Sequence, residues 1–241
     1  MADELVSALL GAEDLRVVLA LTGDLTRQAR MLAGLRPGSA AMLAQGLTAG
    51  LLLAALQKEK ARLNLQLECD GPLRGLFVDA SGSGEVRGYV KNPLVEHLGS
   101  EGAFRWRPAL GNSGFLSVLR DQGGGESYRS SVQLSRFDLA ADLEAYFAES
   151  EQLRTQVLLG FAGEPGEPLA AVGGLFLQPF PGGSVEALEA HGARLKGPGT
   201  FEAALRGGAK AGAAAAVKAL FPGAELEVLA RYPVAFQCSC S

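Results

Sequence analysis

The chain is poor in the residue types that most often carry catalysis. Its 241 residues include only two histidines and three cysteines. Neither His97 nor His191 lies in a recognisable nucleophile or metal motif. Ser83 and Ser113 have glycine neighbours but do not stand in the Gly-x-Ser-x-Gly pattern of a nucleophile elbow. A hydrolytic triad needs a nucleophile, a base and an orienting group, so we predict a protein that is not an enzyme.

Basic clusters and export signals are also missing. The net charge is -4, and no basic run exceeds Lys58-Glu59-Lys60. A nucleic-acid-binding protein normally shows a concentrated basic patch, so we expect no nucleic-acid partner. Asp3 and Glu4 stand where a signal peptide would carry basic residues. The few cysteines do not form a secreted disulfide framework, and we expect a cytoplasmic protein.

Only one long apolar run occurs, from Ala40 to Leu56, with Gln45 and Thr48 as its polar interruptions. Its length is at the lower edge of the roughly 17–25 residues that a helix needs to cross a bilayer. Nothing else in the chain resembles a second membrane span. We therefore expect a buried helix and no membrane partner.

Hydrophobic periodicity predicts an α+β fold. Leu63, Leu65, Leu67 and Cys69 alternate with polar residues, which is typical of a half-buried strand. The segment Gly82–Gly88 superficially suggests a phosphate loop, but its spacing and its two flanking strands favour a hairpin. Helical spacing follows in Leu139–Ser150.

Composition divides the chain into three predicted parts. Residues 1–180 read as a β-rich α+β body with packed helices. After Pro179, glycine and proline separate short helical pieces, which predicts a looser helical linker over residues 181–233. Residues 234–241 form a short terminal segment. We predict one body, one linker and the remnant of a third, small domain.

The terminal segment contains a Cys-x-Cys pair, Cys238 and Cys240. Exposed paired thiols in a cytosolic chain are usually metallated or redox-active. Structural zinc takes four ligands, usually thiolate or imidazole. Cys69 lies on the apolar side of its predicted strand, where a cysteine behaves as a small hydrophobe. Cys238 and Cys240 are therefore the candidate redox-active residues and the candidate metal ligands, as half of a zinc site.

Several segments together resemble the 33 kDa redox-regulated heat-shock chaperone family. They are Leu65–Leu73, which runs from a strand into Asp-Gly-Pro, then Val86–Val90, Asp142–Leu153 and Val234–Ser241. In order and spacing the resemblance covers essentially the whole chain. The last two segments are the most specific.

The resemblance implies an ATP-independent holdase that binds unfolded client proteins under oxidative or heat stress. In the family's reduced full-length form, a Cys-x-Cys and a later Cys-x-x-Cys hold one zinc. Oxidation forms two disulfides, releases zinc, loosens the linker, exposes an apolar client surface and favours a homodimer. Cys238 and Cys240 match the Cys-x-Cys, whereas the Cys-x-x-Cys has no counterpart. We therefore expect a truncated zinc domain and no tightly bound zinc in this chain.

Two questions stay open at this level. Leu51–Leu56, Leu175–Phe180 and Ala213–Phe221 are candidate client surfaces if they are exposed, because large exposed apolar patches mark interaction sites; the alternative is that all three belong to the core. The rival functions are a thiol–disulfide oxidoreductase that uses Cys238 and Cys240, and a passive zinc-binding scaffold.

Overall fold

A computed structural model describes residues 3–57, 61–96, 106–121, 127–164 and 167–237. Within these ranges the strands are β1 (Glu4–Leu10), β2 (Leu15–Leu21), β3 (Arg62–Cys69), β4 (Gly75–Ser81), β5 (Glu85–Val90), β6 (Gly114–Asp121), β7 (Ser127–Gln133), β8 (Gln156–Glu164), β9 (Glu167–Pro179), β10 (Leu226–Pro233) and β11 (Ala235–Phe236). The helices are α1 (Gly23–Ala33), α2 (Pro37–Ala54), α3 (Arg107–Leu110), α4 (Leu139–Tyr146), α5 (Val185–Leu195), α6 (Thr200–Ala211) and α7 (Ala213–Leu220). A π-helical turn, Phe147–Glu151, continues α4.

The strands form two sheets, and together with the helices they confirm the predicted α+β class. The five-stranded sheet has the order β10-β1-β2-β9-β8, and the six-stranded sheet has the order β11-β5-β4-β3-β6-β7. All pairs are antiparallel except β11 and β5. The predicted hairpin at Gly82–Gly84 joins β4 to β5.

Helix α2 lies between the two sheets and forms the centre of the larger core. It is long and apolar enough to cross a bilayer by length and composition, but 94% of that span is buried inside the protein. Gly50 permits the close approach of α2 to β4, since a Cβ atom there would lie 2.5 Å from Val78 Cγ1. The buried helix predicted for this segment is confirmed.

The chain after Pro179 is packed, and the expectation of a loose linker is wrong for its described residues. Helices α5, α6 and α7 lie on the outer face of the five-stranded sheet, and β10 extends that sheet by pairing with β1. The three helices stay packed on the sheet because each of them turns an apolar side toward it. Composition alone did not reveal these apolar sides. The boundaries at residues 180 and 233 stay predictions.

Asp3 caps helix α1 from a distance in sequence. Its carboxylate accepts hydrogen bonds from the backbone N–H groups of Asp24, at 3.0 Å, and Leu25, at 2.6 Å. Thr22 occupies the N-cap position but makes no cap hydrogen bond, since its Oγ1 pairs with Thr48 Oγ1 at 2.7 Å. Burial of Asp3 raises the pKa of its carboxyl from 3.8 to about 6, despite the backbone hydrogen bonds, which lower it.

This raised pKa predicts a pH dependence of folding stability. Because the folded-state pKa of Asp3 lies above its unfolded-state value, the stabilising contribution is complete below about pH 4 and is lost as the pH rises through about 6. An Asp3→Asn variant lacks this titration. Between pH 4 and pH 7, we expect the free energy of unfolding of the variant to gain about 1–3 kcal/mol relative to that of the wild type. Urea unfolding at both pH values measures this difference, and a constant difference would contradict the assignment.

Candidate functional site

The outer face of the five-stranded sheet is apolar and covered by helices. We call the segment 185–220, which contains α5, α6 and α7, the helical cover. The sheet residues beneath it, which we call the covered face, belong to an apolar cluster separate from the α2 core: Val6, Ala8, Leu10, Leu15, Val17, Leu19, Leu21, Leu158, Leu175 and Leu177. The cover contributes Leu188, Leu195, Phe201, Leu205, Val217 and Leu220 to the same cluster. A large apolar surface therefore lies one helix layer below solvent.

The sequence of β2 explains why this sheet is apolar on both sides. Side chains alternate between the two faces of a strand. Leu15, Val17 and Leu19 therefore join the cluster under the cover, whereas Val18 and Ala20 join the α2 core. A strand that is covered on both faces reads as a nearly continuous apolar run. The apolar character of the covered face is thus built into the strand sequence.

Glu4 fixes one end of the cover. Its Oε1 accepts a hydrogen bond from the backbone N–H of Ala213, the first residue of α7, at 2.6 Å. Its Oε2 accepts from Arg231 Nε of β10 at 2.5 Å. A carboxylate at a helix N-terminus is stabilising because it meets the free N–H groups and the positive end of the helix dipole. Glu4 thereby joins the first strand to both α7 and β10.

His191 fixes α5 to the turn between β1 and β2. Its Nε2 lies 2.7 Å from Glu13 Oε2, and its ring meets Phe221 edge-on with the centroids 5.1 Å apart. Arg194 donates to the backbone oxygen of Leu220 at 2.5 Å. The His191 side chain is only 18% exposed, because α5 packs against the sheet.

Ion pairs tie the other side of α5 to the body. Lys196 Nζ lies 2.7 Å from Glu144 Oε1 of α4, and Arg154 Nη1 lies 3.8 Å from Glu189 Oε1. Such exposed pairs each contribute about 0–1 kcal/mol. Most of the adhesion of the cover therefore comes from apolar burial.

The structure buries most of the three segments that were candidate client surfaces if exposed, which favours the alternative that they belong to the core. Leu51–Ala54 lie in the core around α2, and Leu175 to Leu177 lie in the centre of the five-stranded sheet. In the third segment, the apolar side of α7 and Phe221 face the sheet. All three therefore read as core in this state, and only the second and third segments adjoin the covered face.

Cys238 and Cys240 lie outside the described residues, but the structure describes the chain as far as Gln237. Residues 235–236 pair with β5, and the backbone N–H of Gln237 donates to the backbone oxygen of Val86 at 2.9 Å. Gln237 lines a small cavity with charged side chains from the outer face of the six-stranded sheet: Arg62, Asp79, Glu85 and Arg87. The roles predicted for the two cysteines stay predictions.

The described residues contain no complete metal site of their own. Among them, no group of three or more His, Cys, Asp or Glu side chains is arranged to hold a metal ion. Cys69 packs against the α2 core, and burial raises the pKa of its thiol. His191 is engaged with Glu13. His97 lies outside the described residues.

Asp142 is a structural residue that the sequence reading did not single out. It is fully buried, and its carboxylate accepts three backbone hydrogen bonds, from Ser135 at 2.9 Å, Arg136 at 2.9 Å and Asp138 at 3.1 Å. The nearby Tyr146 hydroxyl donates to Glu151. Side-chain hydrogen bonds of Asp142 and Tyr146 hold the segment Asp142–Leu153 in place. Its only signal in the sequence was an acidic residue at a helix position where the spacing predicts an apolar one.

Comparison with known proteins points to one family. The family model described as Hsp33 protein matches residues 3–241. A 33 kDa chaperonin of Geobacter sulfurreducens is 34% identical over 241 residues, which is 100% of this chain and 79% of the relative. A 33 kDa chaperonin of Synechocystis is 40% identical over 216 residues, 86% of this chain and 70% of the relative. The crystal structure of the 33 kDa chaperonin (Heat shock protein 33 homolog) of Thermotoga maritima has the same fold, with a TM-score of 0.85 at 24% identity over 100% of this chain and 82% of that one.

Proposed function

The chain belongs to the Hsp33 family of chaperones, and we propose that it is an ATP-independent holdase of the cytoplasm that binds unfolded proteins on the covered face. The observation that carries the proposal is the apolar sheet surface beneath a layer of three short helices. A holdase must keep a large apolar surface covered until it binds a client, so that the chaperone itself does not aggregate. Large apolar patches mark interaction sites once they are exposed.

The cover helices are suited to leave the sheet. They contain 11, 12 and 8 residues, and isolated helices shorter than about 12–15 residues are marginal in water. Once separated from the covered face they therefore lose the packing that keeps them helical. Local opening exposes Val17, Leu19 and Leu175 while the α2 core, which is a different cluster, remains folded.

We propose that Cys238 and Cys240 are redox-active as one of the two cysteine pairs of the family's zinc site, and that redox control needs both pairs. The position of Gln237 supports this proposal, because β11 connects the cysteines to β10 and so to Glu4, which also holds α7. The described residues do not complete a zinc site, so no step of this proposal depends on zinc. Homodimer formation, which the family resemblance predicts, is likewise a proposal.

The test is suppression of aggregation of a heat-unfolded client by a polypeptide of these 241 residues. We expect light scattering of citrate synthase at 43 °C to fall in proportion to added chain, without ATP. We also expect little dependence on peroxide and little change in a Cys238→Ser, Cys240→Ser variant, because this polypeptide carries only one of the two cysteine pairs. Undiminished scattering would contradict the holdase proposal. A peroxide-dependent switch that the double variant abolishes would make the two cysteines a self-sufficient sensor.

A further inference from the structure

Asp3 lies in a small cavity between the body of the protein and the helical cover. The cavity has a volume of about 80 Å³, and residues of β2, α1 and β9 form the wall on the body side. Helix α6 of the cover forms the opposite wall with Leu205, Gly208 and Ala209. Since Asp3 is only 8% exposed, α6 takes part in keeping water away from its carboxyl group.

Helix α6 approaches the sheet closely beside this cavity, and its contacts there are apolar. Gly208 permits the approach, because a Cβ atom at this position would lie 3.1 Å from Leu21 Cδ1. A Cβ atom at Gly173 of β9 would lie 2.6 Å from Leu205 Cδ2. The three residues that α6 contributes to the cavity wall carry no charge. Helix α6 therefore removes water around Asp3 without supplying a positive charge to compensate.

The charged groups that face Asp3 in this cavity come from α1. Burial is the strongest influence on the Asp3 carboxyl and raises its pKa to about 6. The backbone N–H groups of Asp24 and Leu25 lower this pKa, because they donate hydrogen bonds to the charged carboxylate. The Asp24 charge raises it and the Arg27 charge lowers it, and these two side chains form an exposed ion pair with each other at 2.8 Å. The effect of burial exceeds that of the α1 groups.

Opening of the cover would take away one wall of the cavity. The Asp3 carboxyl would then meet water, and its pKa would return toward the ordinary value of 3.8. The closed state therefore binds the Asp3 proton more tightly than the opened state. By linkage, the stabilisation of the closed state is complete below about pH 4 and is lost as the pH rises through about 6.

We propose that closure of the helical cover is coupled to one proton on Asp3: the protonated carboxyl favours α6 on the sheet, and the carboxylate favours its release. The proton is exchanged with solvent, and no other reactant takes part. The device combines a carboxyl group fixed to α1 with a cavity wall that belongs to the cover. It concerns the movement of the cover alone and stands whatever the covered face binds.

Hydrogen–deuterium exchange of the wild-type chain at 25 °C tests the coupling. Division of the observed rates by the intrinsic exchange rates at each pH gives the opening constant of α6. If opening restores the ordinary pKa of Asp3, this constant rises about tenfold between pH 5 and pH 7.5. Helix α2, which belongs to the other core cluster, should stay more strongly protected than α6 at both pH values. Equal protection of the two helices, or an α6 opening constant independent of pH, would overturn the proposal.

Two variants identify the group that titrates. Asp3→Asn keeps the size of the side chain without its titration, and the α6 opening constant should then change less than about twofold between the two pH values. His191→Gln is the control, because the His191–Glu13 contact also ties the cover to the sheet and histidine titrates in the same pH range. This variant should keep the tenfold change. A dependence that survives in Asp3→Asn and disappears in His191→Gln would contradict the assignment to Asp3.

A second measurement leaves Asp3 in place. Gly208→Leu forces α6 away from the sheet, since a Cβ atom at Gly208 would lie 2.9 Å from Ala216 Cβ. Carboxyl ¹³C NMR should give an Asp3 pKa of about 6 in the wild type and a value closer to 3.8 in this variant. An unchanged Asp3 pKa in a variant whose α6 amides exchange freely would show that α6 does not control the proton, and the proposal would fail.

Discussion

Replacing Leu205 with aspartate is expected to give a chaperone that is active without heat. Leu205 is fully buried in the cluster between α6 and the covered face, close to Gly160 and Gly173 of the sheet. An unpaired carboxylate there costs several kcal/mol, and this cost opposes the apolar burial that holds the cover on the sheet. We expect the population of the opened state to rise as a result. The variant should suppress aggregation of chemically unfolded client at 25 °C, and its bis-ANS fluorescence should rise severalfold.

Two measurements keep this prediction distinct from general unfolding. Trp106 is the only tryptophan of the chain and is buried in the α2 core, where its indole N–H donates to Gln45. Its fluorescence should therefore stay native in Leu205→Asp. Ala203→Asp, on the exposed side of the same helix, should change neither aggregation nor dye binding. A shift of the Trp106 emission to that of the unfolded chain, or unchanged activity, would contradict a separable cover.

Replacing Asp142 with alanine is expected to cost the most stability of any single polar substitution considered for this chain. Three backbone N–H groups would lose their common acceptor in a fully buried position. Hydrogen bonds to a charged group contribute about 1.5–3 kcal/mol each, and we expect the free energy of unfolding to fall by about 3 kcal/mol or more. Urea unfolding monitored by circular dichroism measures the loss.

Asp138 gives the matched control for this substitution. It caps α4 by accepting one hydrogen bond, from the backbone N–H of Ala141 at 3.0 Å. Loss of an N-cap costs about 1 kcal/mol. Asp138→Ala should therefore destabilise the protein about a third as much as Asp142→Ala. Equal losses would mean that Asp142 does not organise the turn before α4.

Much of the fold could be predicted from local patterns, because neighbouring residues determine individual strands and helices. Strand β3 follows from the strict alternation of apolar and polar residues between Leu63 and Cys69. The buried helix α2 follows from its apolar composition. The resemblance of four segments to the 33 kDa chaperone family is confirmed by the family match over residues 3–241.

Interactions between distant residues were not predictable in the same way. The cap of α1 comes from Asp3, which lies 21 positions before Asp24 in the chain, and no local pattern shows that contact. Gly212, at φ 95°, divides the alanine-rich segment 209–220 between α6 and α7. Glycine and proline breaks also suggested a loose segment after residue 180. The apolar sides of the three short helices are weak signals in the sequence, and only their packing against the sheet shows that the segment is ordered.

The covered face itself could not be recognised from sequence. Leu175 and Leu177 face the cover while Phe176 faces α2, and the sequence shows only a continuous apolar segment. Such a segment reads equally as core or as exposed surface. Only the layer order of the folded chain shows that one of its two sides lies directly beneath three short helices.

Hydrogen–deuterium exchange of the client-bound chain tests the central claim most directly. The complex with heat-unfolded citrate synthase is formed at 43 °C, labelled in a short pulse and compared with the free chain at 25 °C. If clients occupy the covered face, backbone amides of α5, α6 and α7 lose their protection in the complex, whereas those of β1, β2 and α2 keep theirs. Full protection of the three cover helices in a chain that holds client would contradict the account.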